Sequence, residues 1–415
     1  MHRMVAALWA AASCVSVAQA QNIAAPPLTL DQAITAAGGS APAADAARAD
    51  IAAAEAGRTV AGLRPNPTVT TEVENVFGTG PYRDFRGAET TMGLSIPIEL
   101  GGKRSAWIAV ADARTMRALL AAAITQADIR LQVTELYVNA VAAERRLATA
   151  LDQARIATEA MNAARVRVRA GRASPIEEQR ADVTRLNAEA AVENARRLRE
   201  AARLNLGRRI GQPVVRPLDL AALDNLPAAY GSPLASTAEG TLALAAADAD
   251  LAIADAGVRL ARAQRVPDIT VGPGVRRFSE SHDTAALFSI SVPLPLFNSG
   301  RAAVAQASAE RTRADAQRRM TALDVEQAIL DARTAADNAA TNARTANGPA
   351  LAAAQEAARI ARIGYREGKF GQLDLLDAER TLAETRLAAI DALVAFQNAR
   401  ARLERLTAAA PGQGN

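Results

Sequence analysis

The side chains that could do chemistry are few and scattered. After residue 20 one histidine remains, His282, with Glu280 and Asp283 beside it. Imidazole next to carboxylates is metal-ligand chemistry, but no second imidazole or thiolate completes a ligand set. The stretch reads as a solvated loop. Met92, Met116, Met161 and Met320 lie far apart, with Met161 and Met320 inside long helical stretches, and read as packing. The only cysteine is Cys14, so the chain after residue 20 has neither a thiol nucleophile nor a disulfide. There is no His-Glu-x-x-His pair and no Walker phosphate loop. No enzyme, no cofactor and no metal-selecting site is expected. More informative are carboxylates just after two glycine turns. Glu177 follows Gly171 in GRASPIEEQRAD, and Asp374 and Asp377 follow Gly368 in YREGKFGQLDLLDAE. Carboxylates there complement a helix N-terminus. If several copies meet, they also form rings of negative charge that attract cations and repel one another. Both readings stand.

The elements that must carry these turns are long helices. Prolines cluster at 65–97, 213–233 and 267–295 and are absent from 98–174, 176–212, 296–348 and 350–410. Helix interiors reject proline, so the proline-free spans are the helices. Residues 103–170 alone would reach roughly 100 Å at 1.5 Å per residue. Only 3% of the residues are aromatic, which argues for narrow alanine-rich helical seams over bulky globular cores. Two seams step by four and three: Leu120, Ile124, Ala127, Leu131, Thr134, Val138, Val141; and Leu382, Arg386, Ala389, Leu393, Phe396, Arg400, Leu403. The net charge of +4 is small, and both signs are interspersed. That gives no basic arm for nucleic acid.

The chain also repeats itself. Arg64-Pro65-Asn66-Pro67 is echoed by Arg265-Val266-Pro267-Asp268, SIPIELGGKR from Ser95 by SVPLPLFNSGR from Ser291, and Arg169-Ala170-Gly171-Arg172 by Arg366-Glu367-Gly368-Lys369. The spacings are 200, 196 and 197 residues, as between Pro67 and Pro267, Ser95 and Ser291, and Gly171 and Gly368. An internal duplication follows, each half running helix, two strands, long helix, glycine turn, helix. The first repeat is placed at 21–210, with strands about 67–77 and 88–98 and helices about 103–170 and 175–207. A linker follows at 211–233. The second repeat is placed at 234–407, with strands about 267–278 and 286–294 and helices about 300–364 and 372–406, before a tail at 408–415. The strands alternate: Val69, Thr71, Val73, Asn75 and Phe77 oppose Thr68, Thr70, Glu72 and Glu74, and Met92, Leu94, Ile96 and Ile98 oppose Thr91, Gly93 and Ser95. In the second repeat Phe288, Ile290, Val292 and Leu294 oppose Ser289 and Ser291. Such strands suit a membrane barrel or a small sheet with one wet face. Four strands cannot close in lipid, so a barrel needs several chains, and three would supply twelve strands.

The N-terminus has the layout of a secretory signal: Met1-His2-Arg3-Met4, an apolar stretch from Val5 to Val17, then Ala18-Gln19-Ala20 before the expected cleavage. Cys14 lacks the leucine-like residue three positions earlier that lipidation would require, since Ala11 stands there. No later run is long and apolar enough for a membrane helix.

The duplication, the strand pairs, the long helices and the glycine turns together resemble the TolC-like outer-membrane efflux proteins over essentially the whole chain after residue 20. LRPNP (Leu63–Pro67) and IELGGKR (Ile98–Arg104) resemble the branch serving cobalt–zinc–cadmium or copper–silver efflux. The resemblance implies a mainly α fold with a small β part, as a homotrimer. A twelve-stranded barrel in outer-membrane lipid would continue into a long periplasmic helical barrel. It implies an exit duct fed by a periplasmic adaptor (a membrane fusion protein) and an inner-membrane RND pump. Pro97, Gly101, Gly102 and Arg104, with Pro293, Pro295, Gly300 and Arg301, look like the corners where the chain leaves the β-barrel. Gly171, Arg172, Ala173 and Ser174, with Gly368, Lys369, Phe370 and Gly371, look like the tips where adaptor hairpins dock. Glu177, Tyr365, Asp374 and Asp377 take the positions of a periplasmic gate. The tips are more basic than the family's usual Val-Gly-Leu or Val-Gly-Thr. A multidrug or type I protein-export duct is the alternative within the family, and a soluble periplasmic coiled-coil scaffold the alternative outside it.

Overall fold

The computed structural model describes residues 26–226 and 237–411. The signal segment, with its cleavage after Ala20, lies outside the described residues, as do parts of the 211–233 linker and of the tail.

The first repeat begins with α1 (Leu30–Ser40) and α2 (Pro42–Ala61). Two devices set these helices. Thr29 and Gln32 cap the start of α1 reciprocally, and Pro42 opens α2 where its missing N–H costs nothing. Strands β1 (Thr68–Glu74) and β2 (Glu89–Ile98) follow, then α3 (Lys103–Arg169, 67 residues) and α4 (Pro175–Ile210). The second repeat supplies α5 (Leu242–Ala263), β3 (Ile269–Phe278), β4 (Thr284–Ser291), α6 (Arg301–Thr345), α7 (Leu351–Arg366) and α8 (Gln372–Leu406). Four strands form one antiparallel sheet in the order β1-β2-β3-β4, so β2 and β3 join the repeats and β1 and β4 are the outer edges.

Several boundaries differ from the sequence reading. Strand β1 stops at Glu74, because Asn75 and Phe77 take positive φ angles of 59° and 56°. The Phe77 ring then packs edge-on against Phe85, 5.0 Å between centroids. Strand β4 starts at Thr284 and ends at Ser291, so Val292 and Leu294 lie beyond it. Pro97 does not end β2 but sits within it opposite Thr270, past the end of β1, where no β1 carbonyl awaits its missing N–H. The expected helix 300–364 is broken by a wide π turn at Ala346–Ala350, where Gly348 is non-helical (φ −105°, ψ −106°) just before Pro349. The proline clashes with the preceding turn and removes one ladder hydrogen bond.

The helices pack in the sequence α6 on α8, α8 on α3, and α3 on α4. Nearer the sheet, α2 and α5 flank α3, and α5 also packs on α6. The second heptad seam is a core: Leu382, Ala389, Leu393 and Phe396 are buried. Arg386, its polar member, donates to Asp152 across the seam at 2.6 Å. In the first seam only Val138 and Val141 are buried; the buried stripe runs through Ile129, Val133, Tyr137 and Ala140 instead. That stripe faces the thickest part of the molecule, where α1, α4, α8 and a 3-10 turn at Leu220–Asp224 converge on α3. There the Tyr137 hydroxyl donates to the Leu28 carbonyl (2.6 Å) and accepts the Asp219 N–H (3.2 Å). Gln397 Nε2 donates to the carbonyls of Leu223 and Asn225, both at 3.2 Å. These bonds strap the segment after α4 across the middle of the helical hairpins.

Candidate functional site

Three places carry the candidate residues: the hairpin tips, the corners and the sheet. Both tips are built by one local device. At the end of α3, Arg172 N–H donates to Arg167 O (2.9 Å) and Gly171 N–H to Val168 O (3.0 Å), with Gly171 at φ +68°. At the end of α7, Lys369 N–H donates to Gly364 O (2.7 Å) and Gly368 N–H to Tyr365 O (3.1 Å), with Gly368 at φ +73°. This paired bonding is the Schellman motif, and it needs the left-handed residue that glycine supplies. Ser174 and Gly371 then start α4 and α8 from extended backbone, while Arg172 is exposed and Ala173 half-buried.

The two tips lie side by side. Gln372 Nε2 donates to the Glu177 carbonyl (3.1 Å), and the Arg167 guanidinium sits 4.9 Å from the centre of the Tyr365 ring. Tyr365 is buried against Ala361 and Leu375, with its hydroxyl unbonded, and one carboxylate oxygen of Glu177 is also buried without a bond. Asp374 is exposed and accepts the Gly371 N–H at 2.9 Å, so it caps α8. Asp377 is exposed one turn on, and Lys369 pairs with Glu367 of its own turn (2.9 Å). Behind the tips, Glu379 is buried and paired with Arg362, whose guanidinium it holds further toward the charged form. Burial raises the Asp152 carboxyl, but hydrogen bonds from Arg155 and Arg386 outweigh this and hold it below the usual carboxylate range.

Sequence reasoning missed Gly364. An added Cβ there would lie 2.1 Å from Cδ2 of Phe370, so the Phe370 ring rests directly on the helix backbone. A glycine one turn before the expected turn glycine was the available signal. Arg167 and Gln372 were missed because nothing local marks residues that meet across hairpins.

At the corners, Gly102 (φ +71°) and Gly300 (φ +70°) are the residues from which α3 and α6 start. Gly101 (φ +70°) packs so closely that a Cβ would lie 2.6 Å from Cβ of Val266. Gly300 meets Arg265 in the same way, at 2.7 Å from Cγ. Pro293 and Pro295 follow the end of β4. The expected basic residues Arg104 and Arg301 are exposed, with Arg104 donating to the Gly62 carbonyl. The buried cation is Lys103, paired with Asp268 at 2.7 Å, and Asp268 also accepts the Leu100 N–H. A first-repeat corner is thus clamped to the start of a second-repeat strand.

The sheet register sorts its faces. Val69 lies opposite Leu94, Met92 opposite Val275, Ile96 opposite Val271, and Val271 opposite Ile290, giving one largely apolar face that also carries Thr71, Thr90 and Arg277. Val69, Met92, Val275, Phe288 and Ile290 are each more than half exposed. The other face carries Thr68, Thr70, Ser95, Thr270 and Ser289, and Arg276 bonded to Thr91 (2.9 Å), Glu89 (2.8 Å) and Glu74 (3.2 Å). His282 sits in the exposed β3–β4 turn with φ +60°. Among the described residues no cluster of three or more His, Cys, Asp or Glu could hold a metal, and no helix is long and apolar enough to cross a membrane.

A sheet with one exposed, largely apolar face stands at the end of helices of which α3, with 67 residues, is about 100 Å long, an arrangement that suits insertion of the sheet in a membrane. Residues 33–212 and 235–409 match the model of the outer membrane efflux protein family, one match per repeat, and the chain belongs to that family. Its members are transport ducts of the outer membrane, not enzymes. The chain is 32% identical to the cobalt-zinc-cadmium resistance protein CzcC of Cupriavidus metallidurans, covering 92% of this chain and 90% of that one. It is 27% identical to the nickel-cobalt-cadmium resistance protein NccC of Alcaligenes xylosoxydans over 66% of this chain and 62% of that one. Among solved structures, CusC superposes with a TM-score of 0.77 at 18% identity, covering 92% of both chains. The open state of the MtrE channel of Neisseria gonorrhoeae gives 0.75 at 22%, covering 91% of this chain and 88% of that one.

Proposed function

We propose that three copies close their sheets into a twelve-stranded outer-membrane barrel over a periplasmic helical tube. The assembly is the passive exit duct of a tripartite system that expels heavy-metal cations. An inner-membrane RND pump and a periplasmic adaptor drive it; the metal is substrate, and selection resides in the pump. The observation that carries the substrate is the 32% identity to a cobalt-zinc-cadmium resistance protein along nearly the whole of both chains. Closure follows from the two open sheet edges, β1 and β4, which lipid does not tolerate. The tip residues from Gly171 to Ser174 and from Gly368 to Gly371 receive the adaptor. Glu177, Tyr365, Asp374 and Asp377 form the periplasmic gate, where Asp374 combines helix capping with ring charge. The signal peptide 1–20, the two repeats, the 211–233 segment and the tail are the working divisions of the chain.

The test is growth of a deletion strain across zinc, cobalt, cadmium, copper and silver salts beside drugs and detergents. Selective metal sensitivity, restored by the intact gene, is expected. Sensitivity to drugs alone would leave the duct standing and overturn the substrate.

A further inference from the structure

Beside the corner where α3 begins, α2, α3, α5 and α6 pack side by side, and their layer is grooved. A groove of about 870 Å³ runs between α3, α5 and α6, and one of about 620 Å³ between α2 and α3. Trp107, Val110 and Arg114 line both, so the two form one cleft with Trp107 at its middle. Trp107 is 40% exposed, and its indole N–H has no hydrogen-bond partner among the described residues. Ile253 and Leu260 of α5 extend the apolar floor. Gly57 and Gly257, 200 residues apart like Pro67 and Pro267, line the two grooves. A Cβ at either would meet nothing within 4 Å, so packing requires neither glycine, although each weakens its helix. They keep the walls low beside the indole.

The charges of the cleft do not cancel. Arg117 pairs with Asp250 (2.9 Å) and Arg318 with Asp248. Arg114 and Arg313 are exposed, line the cleft and have no ion-pair partner among the described residues. The lining carboxylate left to offset them is Glu310, which accepts Gln306 Nε2 at 3.0 Å. At the α2 end Arg64 and Glu99 balance. One positive charge is left over. The architecture does not call for these side chains: the spacing of 198 residues from Gly102 to Gly300 carries Trp107 onto Ala305 and Arg114 onto Thr312.

We propose that this cleft binds an amphiphilic organic monoanion. Its apolar body lies on Trp107, and its carboxylate or sulfonate sits between Arg114 and Arg313, where guanidinium recognition of an anion is strong. Trp107 and Arg114 are about 10 Å apart along α3, roughly the length of an octanoate chain. This ligand class differs from the metal cations of the duct reading, and the site stands or falls without that reading.

The test uses tryptophan emission from the assembled full chain, purified in detergent with no metal present. Trp9 lies in the signal segment, so Trp107 is the only tryptophan after residue 20 and reports this cleft alone. The probe is ω-bromooctanoate, whose bromine quenches indole on contact. Saturable quenching is expected. The uncharged ω-bromooctanamide should bind about tenfold more weakly, because charge-assisted bonds are roughly twice as strong as neutral ones. Bromide alone should give no saturation. Arg114→Gln with Arg313→Gln should weaken the acid by a similar factor and leave the amide unchanged. Both arginines are exposed and unpaired, so the fold survives their replacement. Arg197→Gln, on α4, should change neither ligand. Equal binding of acid and amide, or an acid indifferent to the paired arginine substitutions, would overturn the anion site. No saturable quenching by either would overturn the cleft as a binding site.

Discussion

Replacing Gly364 by alanine should disable the second tip while leaving the fold nearly as stable as before. The new Cβ would lie 2.1 Å from Cδ2 and 2.5 Å from Cε2 of Phe370. One of the two must move, and Phe370 is the freer, being 42% exposed. Swinging the ring out forfeits roughly half of a phenylalanine's burial, about 1 kcal/mol. Alanine in place of glycine within a helix returns about 1 kcal/mol. The net change is therefore about zero, and thermal unfolding should barely shift. The local change is larger, because the N–H groups of Lys369 and Phe370 both donate to the Gly364 carbonyl under that ring. Hydrogen exchange across residues 364–371 should quicken, and resistance conferred by the duct should fall if Phe370 helps to seat the adaptor. Phe370→Ala should lose resistance to the same extent, and the double variant should add nothing further. Unchanged exchange and unchanged resistance would refute the placement of Phe370. A large fall in unfolding temperature would show that the ring holds the hairpin together rather than shaping its surface.

Four further outcomes are expected. Asp377→Ala and Asp374→Ala should each raise single-channel conductance, and only Asp374→Ala should also lose about 1 kcal/mol of stability with its cap. Unchanged conductance in both would end the gate assignment. Asp152 is held below the usual carboxylate range, so its stabilisation is present above that range and lost as pH falls through the lowered value. Asp152→Asn should remove that part of the acid sensitivity in melts taken from neutral pH to below about 4. Burial raises the Tyr137 phenol to about 12, so its contribution is complete below the unfolded value near 10 and is lost as pH rises through the folded one. Tyr137→Phe should cost about 1–2 kcal/mol by denaturant titration at neutral pH and flatten the alkaline decline. Gly101→Ala combines a positive φ with a clash against Val266 and should reduce the amount of assembled duct seen in membrane extracts.

Local rules read much of this molecule in advance. Proline exclusion set α3 and α4 in separate proline-free spans, with Pro175 opening α4, because a missing N–H is tolerated only at a helix start. The turn glycines Gly171 and Gly368 were legible because only left-handed backbone closes the bonds onto Val168 and Tyr365. Alternation exposed the sheet but overran β1, since Asn75 and Phe77 continue the apolar period while their backbone has already turned. The break at Gly348–Pro349 was readable from the lone proline in an otherwise proline-free span. What stayed hidden depends on which residues from different repeats meet. Nothing beside Lys103 in the sequence marks its partner, because Asp268 lies 165 positions away. The Arg167–Tyr365 contact is of the same kind: chemistry fixed by the crossing of hairpins, which no window along the chain contains.

That division also explains where the molecule is firm. Alanine seams bury little area per residue, so the few large buried side chains decide where packing is strong. Tyr137, Phe396, Leu206, Leu223 and Leu393 are all in the cluster at mid-height, where α1 and the strapped segment after α4 add a further layer. Toward the tips the clusters shrink to Met161, Ala164 and Ala181 in one hairpin, and in the other to Ala354, Ala358 and the fully buried Leu382, then Ala361, Tyr365 and Leu375. Between the hairpins at that end run polar contacts: Gln372 to Glu177, Arg167 to Tyr365, and Arg386 to Asp152. Polar contacts at a half-exposed seam are each small in net free energy, because water offers nearly equivalent partners. A hairpin pair held this way can separate at its ends at a cost of a few such contacts, while the middle stays closed. The contrast between thin packing at the tips and thick packing at mid-height is thus a consequence of where this chain spends its few large apolar residues.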